Sequence, residues 1–230
     1  MRLWEMDFLR GVSLVLMVFF NYSVTLEYFR IFDISDAWMY DWLFPRLIAS
    51  SFILVAGVSL WLSWSRRPSC KRLAFRGAKI FGYGILVTAI TWLFFPSYVI
   101  LFGILHLIGL SIVLSMPFLK RINLVLPAIA VTLISGIYFG LQSFGFSGGF
   151  WLFPQYFQTF DYFPLLPWFG VFLLGVFIGS NLYGEGKRKY SIREAPPAAK
   201  SFMLLGRRSL FIYLIHQPAL LAVLYLSGFI

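Results

Sequence analysis

The chain has 230 residues, of which 60% are apolar and 12% are charged, with a mean hydropathy of +0.83. A soluble domain is about half apolar and about a quarter charged, so this composition predicts an integral membrane protein. The net charge of +10 would favour a nucleic-acid partner in a soluble protein, but here the cations lie in loops between apolar runs. We therefore expect no nucleic-acid partner. The single Cys70 excludes an intrachain disulfide and a structural zinc site, and we expect no metal.

The apolar runs predict the fold class. A bilayer core about 30 Å thick needs roughly 20 apolar residues at about 1.5 Å each. Lipid cannot satisfy backbone amides, and the runs are continuous rather than alternating, so helices are favoured over a barrel. The sequence therefore predicts an all-α, polytopic membrane bundle in a single domain, 1–230, with about seven transmembrane helices at 8–28, 42–64, 77–95, 98–119, 123–141, 165–183 and 209–230.

The positive charges predict the orientation. All but Arg30 and Arg46 of the 19 Lys and Arg fall on one side of these spans. Because cytoplasmic loops carry an excess of Lys and Arg, we expect a cytoplasmic N-terminus and an external C-terminus, in a multi-pass protein of the plasma membrane. The outer loop 144–163 is rich in aromatic residues, and Asp161 is its charged residue. It is either an aromatic belt at the headgroups or a stacking platform for a sugar or a lipid-linked acceptor. The inner loop 184–205 is predicted to be a polar linker.

Polar side chains inside membrane spans are candidates for function, because each must find a partner away from lipid. The four that stand out are Arg10, Asn21, His106 and His216. Arg10 and Asn21 lie on one face of the first helix, about 16 Å apart along its axis. Asp7 is one turn before Arg10 and is predicted to neutralise it as an i,i+3 pair.

Depth arithmetic predicts a catalytic cluster in the outer half of the bundle, where His106, Asn21 and Ser51 reach similar levels. Imidazole titrates near neutrality, so His106 could remove a proton from an acceptor; the alternative is an interhelical hydrogen bond. His216 is placed lower, about 10 Å above the inner surface. It is next to a kink expected at Pro218 and could face cytosolic substrate or bond the carbonyl that the proline leaves without a donor.

Basic residues of the predicted inner loops form a candidate coenzyme site. The segment 66–79 carries six positive charges and could bind a polyphosphate such as coenzyme A, or anionic lipid. Positive-inside bias alone is the other explanation. The residues predicted to bind the coenzyme are Arg10, Arg66, Arg67, Arg72, Lys187, Arg188, Lys189 and His216.

Five strings, in this order, carry a family resemblance over nearly the whole chain. They are D-F-L-R-G-V-S-L-V-L-M-V-F-F-N at 7–21, F-I-L-V-A-G-V-S-L at 52–60, F-G-I-L-H-L-I-G-L-S at 102–111, D-Y-F-P-L-L-P-W-F-G at 161–170 and L-G-R-R-S-L-F-I-Y-L-I-H-Q-P at 205–218. Together they resemble the heparan-alpha-glucosaminide N-acetyltransferase catalytic-domain family, and the chain is similar to its short prokaryotic members.

The resemblance implies a transmembrane acetyltransferase that takes acetyl from acetyl-coenzyme A at the cytoplasmic side and passes it to an amino sugar or cell-envelope glycan. The chain departs from the family pattern at one place. Short members carry a histidine where this chain has Asn21, the heparan-acetylating branch has its catalytic histidine in the next outer loop, and residues 22–43 here contain none. Catalysis would then fall to His106 or to a carboxylate such as Asp36, or be absent.

The alternative function is a non-catalytic membrane carrier or assembly subunit for a lipid-linked or small anionic compound, built on the same scaffold. The two functions differ in one observable, because a carrier binds or moves its ligand without consuming acetyl-coenzyme A. The expected partners are membrane lipids and the glycan acceptor, with homo-oligomer formation left open.

Overall fold

The structure is a computed structural model that describes residues 3–31, 40, 43–142, 159, 161–184, 186–191 and 194–229. Within those residues it contains nine α-helices, two 3-10 turns at Pro96–Tyr98 and Ile122–Leu124, and one short hairpin. The helices are α1 Trp4–Tyr28, α2 Phe44–Arg66, α3 Cys70–Phe94, α4 Ile104–Leu114, α5 Met116–Lys120, α6 Val125–Gln142, α7 Leu165–Leu182, α8 Ala199–Arg207 and α9 Ser209–Leu226. The hairpin strands are β1 Tyr183–Gly184 and β2 Lys187–Arg188.

Among the residues that the structure describes, five helices are long and apolar enough to cross a membrane, namely α1, α2, α3, α7 and α9. Two shorter apolar helical segments are α4, Ile104–Leu114, and Ile122–Tyr138, which consists of the second 3-10 turn and most of α6. The predicted all-α membrane fold class is therefore confirmed, whereas the number of seven spans and the orientation of the termini remain predictions.

The predicted span 98–119 is not one helix. It begins with the 3-10 turn and then divides into α4 and α5 around Ser115. Pro117 has no N–H to continue the ladder of α4, and Ser115 donates its hydroxyl to the carbonyl of Ser111 at 2.6 Å. These two residues explain the interruption, which the apolar character of the run conceals.

The chain divides into two compact units, and the boundary lies inside α2. One comprises 1–55 with 192–230, and the other comprises 56–191. In the first unit α1 packs against both α8 and α9. Leu14, Met17 and Ile48 form a buried apolar cluster that is joined by partly buried side chains of α8 and α9 such as Leu205 and Ile212.

Helix α8 lies antiparallel to α1 at very close range. A Cβ placed on Gly11 would collide with the backbone of Phe202, and one placed on Gly206 would collide with the backbone of Asp7. The rings of Phe8 and Phe202 meet edge to face with centroids 5.7 Å apart. The prediction of a polar linker is therefore wrong for the part of 184–205 that belongs to α8. Nine residues are too few to span a bilayer, so a ruler based on span length overlooks this helix.

In the second unit α3 packs on α4, and α6 packs on α7. Here too, glycines allow helix backbones to approach each other closely. A Cβ placed on Gly109 would collide with the backbone of Gly77, and one placed on Gly57 would collide with the backbone of α7 beside Gly175. The antiparallel hairpin pairs Tyr183 with Arg188 and Gly184 with Lys187. It follows α7 directly, and the indole of Trp61 on α2 donates to the carbonyl of Tyr183 at 2.9 Å.

Candidate functional site

In the first unit, a half-buried side chain of α1 pairs with a buried side chain of α9. Asn21 Nδ2 lies 3.0 Å from His216 Nε2, although the two residues are 195 positions apart in the chain. His216 is 7% exposed, and its other ring nitrogen, Nδ1, lies 2.7 Å from the carbonyl oxygen of Tyr213. Both ring nitrogens are therefore engaged by named partners.

These partners determine the tautomer of His216. A carbonyl oxygen can only accept, so Nδ1 carries the proton and donates to Tyr213. In the neutral ring Nε2 then bears a lone pair, which accepts from the amide Nδ2 of Asn21. The imidazole is held as a neutral acceptor facing an amide donor.

Neighbouring side chains hold this pair in place. The Tyr22 hydroxyl donates to the backbone carbonyl of His216 at 3.0 Å, and the Tyr22 ring stacks on the imidazole with centroids 6.2 Å apart and an interplanar angle of 17°. One turn further along α1, Thr25 donates to Gln217 Oε1 at 3.3 Å. The polar cluster of Asn21, Tyr22, Thr25, His216 and Gln217 thus joins two membrane-spanning helices.

The separate depths predicted for Asn21 and His216 were wrong, because the hydrogen bond puts them at one level. The arithmetic assumed that each helix starts at the same membrane surface and runs perpendicular to it, which tilt and offset violate. A usable signal was present in the sequence. Polar residues within membrane spans must find partners, and Asn21 lies in the first predicted span while His216 lies in the last.

An ion cluster lies near the start of α1. Asp7 Oδ1 is 3.5 Å from Arg10 Nη1, so the predicted i,i+3 pair is confirmed. Asp7 Oδ2 is also 3.2 Å from Arg207 Nε on α8. The side chain of Asp7 is 10% exposed and lies between two guanidinium groups, which neutralise its carboxylate where α8 and α1 are very close. Sequence analysis missed Arg207, whose partner is 200 positions away.

His106, in the second unit, is a packed side chain. It is 4% exposed, and its Nδ1 accepts from the backbone N–H of Gly103 at 3.2 Å, at the start of α4. Nε2 lies 3.5 Å from the hydroxyl of Thr88, which itself donates to the carbonyl of Ile100 at 2.5 Å. The ring also fills the space beside Gly84 on α3. These contacts match the alternative that the sequence left open, a histidine engaged in hydrogen bonds between packed segments.

Asp161 lies at the same end of α4. Its Oδ2 accepts from the backbone N–H of Ile104 at 3.1 Å, so a carboxylate occupies the positive end of the helix dipole. The backbone N–H of Phe163 donates to the carbonyl of Phe102 at 3.0 Å. Burial raises the pKa of the intervening Tyr162 hydroxyl above its ordinary value. This end of the aromatic loop is bound to the start of α4.

Two of the predicted basic segments come together in the second unit. Arg66, the last residue of α2, donates from Nε and Nη2 to the carbonyl of Gly186 in the hairpin, at 3.2 and 3.1 Å. Arg72 Nη2 donates to the carbonyl of Ser63 at 2.6 Å and also to the carbonyl of Arg67. Lys189 Nζ donates to the carbonyl of Ser180 at 3.3 Å. Basic side chains bound to the last carbonyls of α2 and α7 complement those helix dipoles. We call the set Arg66, Arg67, Arg72, Lys187, Arg188 and Lys189 the basic cluster.

The remaining predicted residues are placed as follows. Ser51 is 2.7 Å from Ser13, which lies about two turns before Asn21 on α1. Asp36 lies outside the described residues. Asn21 and His106 belong to different units, so their predicted meeting in one cavity stays a prediction. Across the residues that the structure describes, no group of three or more His, Cys, Asp or Glu is placed to hold a metal ion.

Comparisons with known proteins give one result. A family model described as heparan-alpha-glucosaminide N-acetyltransferase, catalytic, matches residues 2–218. No curated protein and no solved structure matches the chain. The matched range contains every string that carried the resemblance, from the start of α1 to Pro218 in α9.

Proposed function

Because the chain belongs to the heparan-alpha-glucosaminide N-acetyltransferase catalytic family, we propose that it is a membrane-embedded acyltransferase. Its donor is acetyl-coenzyme A, and its acceptor is an amino sugar or a cell-envelope glycan at the plasma membrane. The family match across residues 2–218 is the observation that carries this proposal. In the reaction the thioester C–S bond breaks and an amide C–N bond forms. The amine loses a proton, and the departing sulfur takes one up to give free coenzyme A.

The basic cluster supports the choice of donor. Coenzyme A carries a diphosphate and a further phosphate, for which Arg and Lys are the usual partners. Apart from the half-buried Arg188, the members of the cluster are exposed, and Arg66 brings the end of α2 to the hairpin that carries Lys187 to Lys189. Each guanidinium has five N–H donors, so the bonds to backbone carbonyls leave further N–H groups that can bind phosphate oxygens.

The acceptor amine must be bound and must lose its proton. We assign the binding to Asn21, whose half-buried amide lies in the polar cluster that joins α1 and α9. His106 and Asp36 remain the candidate bases. For His106 this requires that the imidazole exchange one of its present partners, Gly103 or Thr88, for the acceptor.

The enclosure of His106 favours the second candidate, a non-catalytic carrier or assembly subunit on the same scaffold. Such a protein would bind a lipid-linked or small anionic compound and return it unchanged. Consumption of the thioester therefore separates the two functions.

The test is transfer of labelled acetyl by the detergent-purified full chain. We expect label from acetyl-coenzyme A to appear in glucosamine or in a glycan with a non-acetylated amine. The matched control is N-acetylglucosamine, whose nitrogen is already acylated, so label in this sugar would reveal transfer to a hydroxyl instead of an amine. Saturable binding of acetyl-coenzyme A, with no labelled product from any amino sugar or hydroxyl-bearing glycan tested, would instead support the carrier.

A further inference from the structure

We propose that His216 is a positioning residue that fixes the orientation of the Asn21 amide. In this arrangement Asn21 Nδ2 faces His216, and Asn21 Oδ1 is directed away from it, toward the N–H or O–H of an acceptor. The orientation stands on the hydrogen bonds of the first unit, whereas its use in acyl transfer rests on the proposed function.

The orientation follows from one backbone carbonyl. The carbonyl of Tyr213 places the ring proton of His216 on Nδ1, so Nε2 can only accept. Of the two polar atoms of the Asn21 amide only nitrogen can donate, and it therefore occupies the position 3.0 Å from Nε2. In the planar amide, Oδ1 and Nδ2 lie on opposite sides of the Cβ–Cγ axis, so Oδ1 presents its lone pairs away from the imidazole.

The imidazole of His216 is held so that its Nε2 keeps facing the Asn21 amide. Its ring is 7% exposed and stacks on Tyr22 at 17°, and the Tyr22 hydroxyl also binds the backbone carbonyl of His216. Rotating the ring would break the bonds to Tyr213 and Asn21 together. A side-chain amide without such a partner can turn over and present its nitrogen instead, and second-shell support of this kind fixes the productive orientation.

The arrangement specifies the chemical class of the acceptor. An amide oxygen accepts from a donor, so the ligand must offer an N–H or O–H, as a primary amine or a hydroxyl does. If the amide turned over, its NH₂ would repel these donors. We therefore expect the orientation to affect turnover of the acceptor more than binding of acetyl-coenzyme A.

Two amide substitutions at residue 216 separate positioning from proton transfer. In His216→Gln the side-chain amide reaches the former Nε2 position and its oxygen can accept from Asn21, whereas in His216→Asn the shorter side chain reaches only as far as Nδ1. Neither amide can act as a base. We expect kcat of His216→Gln to stay within about fivefold of the unsubstituted protein, and kcat of His216→Asn to fall about 100-fold. Tyr213 and Asn21 occupy both ring nitrogens of His216, so under this proposal His216 does not take the coenzyme-binding role that the sequence predicts for it, and KM for acetyl-coenzyme A should stay unchanged in both variants.

A double substitution tests the coupling. Asn21→Ala and His216→Asn should each lower kcat by a similar factor, and together they should lower it no further, because both remove the same oriented oxygen. Equal loss in His216→Gln and His216→Asn would overturn the proposal, since it would show that the imidazole itself is needed. Independent, multiplying losses in the double variant would overturn it too.

A measurement on the unsubstituted protein does not depend on activity. The chain has two histidines, so ¹⁵N-histidine labelling gives an NMR spectrum with two imidazoles. We expect His216 as the Nδ1–H tautomer and His106 as the Nε2–H tautomer, and the Nε2 resonance of His216 should shift in Asn21→Ala. An Nε2–H tautomer at His216 would overturn the inference. Absence of acetyl transfer together with the expected tautomers would refute the proposed function alone.

Discussion

Replacing Gly206 by alanine should destabilise the first unit, because α8 and α1 meet there through backbone atoms. The added Cβ would collide with the carbonyl oxygen of Asp7. That oxygen belongs to the α1 backbone and cannot rotate away as a side chain can, so α8 must move outward. Such a shift would also lengthen the bond of 3.2 Å between Arg207 and Asp7.

The expected magnitude is the difference of two opposing effects. One extra methyl in a close-packed contact typically costs about 1–3 kcal/mol. Alanine gains about 1 kcal/mol over glycine in a helix interior. Because the colliding atom is backbone, the cost at Gly206 should lie in the upper half of its range, which leaves a net loss of about 1–2 kcal/mol. For a chain of this size that corresponds to roughly 2–8 °C in the midpoint of thermal unfolding.

Gly82→Ala is the matched control. Gly82 lies within α3, and a Cβ placed there meets no atom within 4 Å. The same substitution should therefore leave stability unchanged or raise it by up to about 1 kcal/mol. Thermal unfolding of both variants in one detergent gives the comparison. A midpoint for Gly206→Ala equal to or above that for Gly82→Ala would refute the packing of α8 on α1.

Two further substitutions test the ion cluster and the basic cluster. Asp7→Asn leaves Arg10 and Arg207 without their shared carboxylate. Because Asp7 is buried while both arginines are partly exposed, we expect the free energy of unfolding in detergent to fall by about 1–3 kcal/mol. An unchanged free energy of unfolding would contradict this ion cluster. Lys187→Gln removes an exposed charge next to the hairpin turn, so KM for acetyl-coenzyme A should rise about three- to tenfold at constant kcat. Lys120→Gln, an exposed charge at the end of α5, is the control, and equal KM values in the two variants would remove Lys187 from the coenzyme site.

The long helices could be predicted from the sequence because one physical requirement determines them. An apolar run must cross about 30 Å of hydrocarbon, and α1, α2, α7 and α9 follow such runs closely. Helix α3 covers residues 77–94 of the predicted span 77–95 but begins earlier, at Cys70, within the segment that was predicted to be an inner loop. The same requirement gives no information on shorter elements. It does not predict α8, because this helix packs on a neighbouring helix and is too short to span the bilayer. It also does not predict the interruption at Ser115, because that depends on one hydroxyl and one proline.

The polar contacts were predictable only where they are local. Asp7 and Arg10 are three residues apart on one helix, so helix geometry alone brings them together. Asn21 and His216 meet through the tilt and offset of two helices, which apolar patterns do not encode. Their donor and acceptor roles depend further on the position of the Tyr213 carbonyl, which no sequence pattern reports.

The central claim is that this chain breaks a thioester to acylate an acceptor. The most direct measurement compares free coenzyme A released with acetylated acceptor formed, using the purified chain, acetyl-coenzyme A and an amino sugar. We predict that thiol release depends on the amine and that the two products appear in equal amounts. Bound acetyl-coenzyme A that remains intact with every amine and hydroxyl acceptor tested would contradict the account and leave the carrier function in its place.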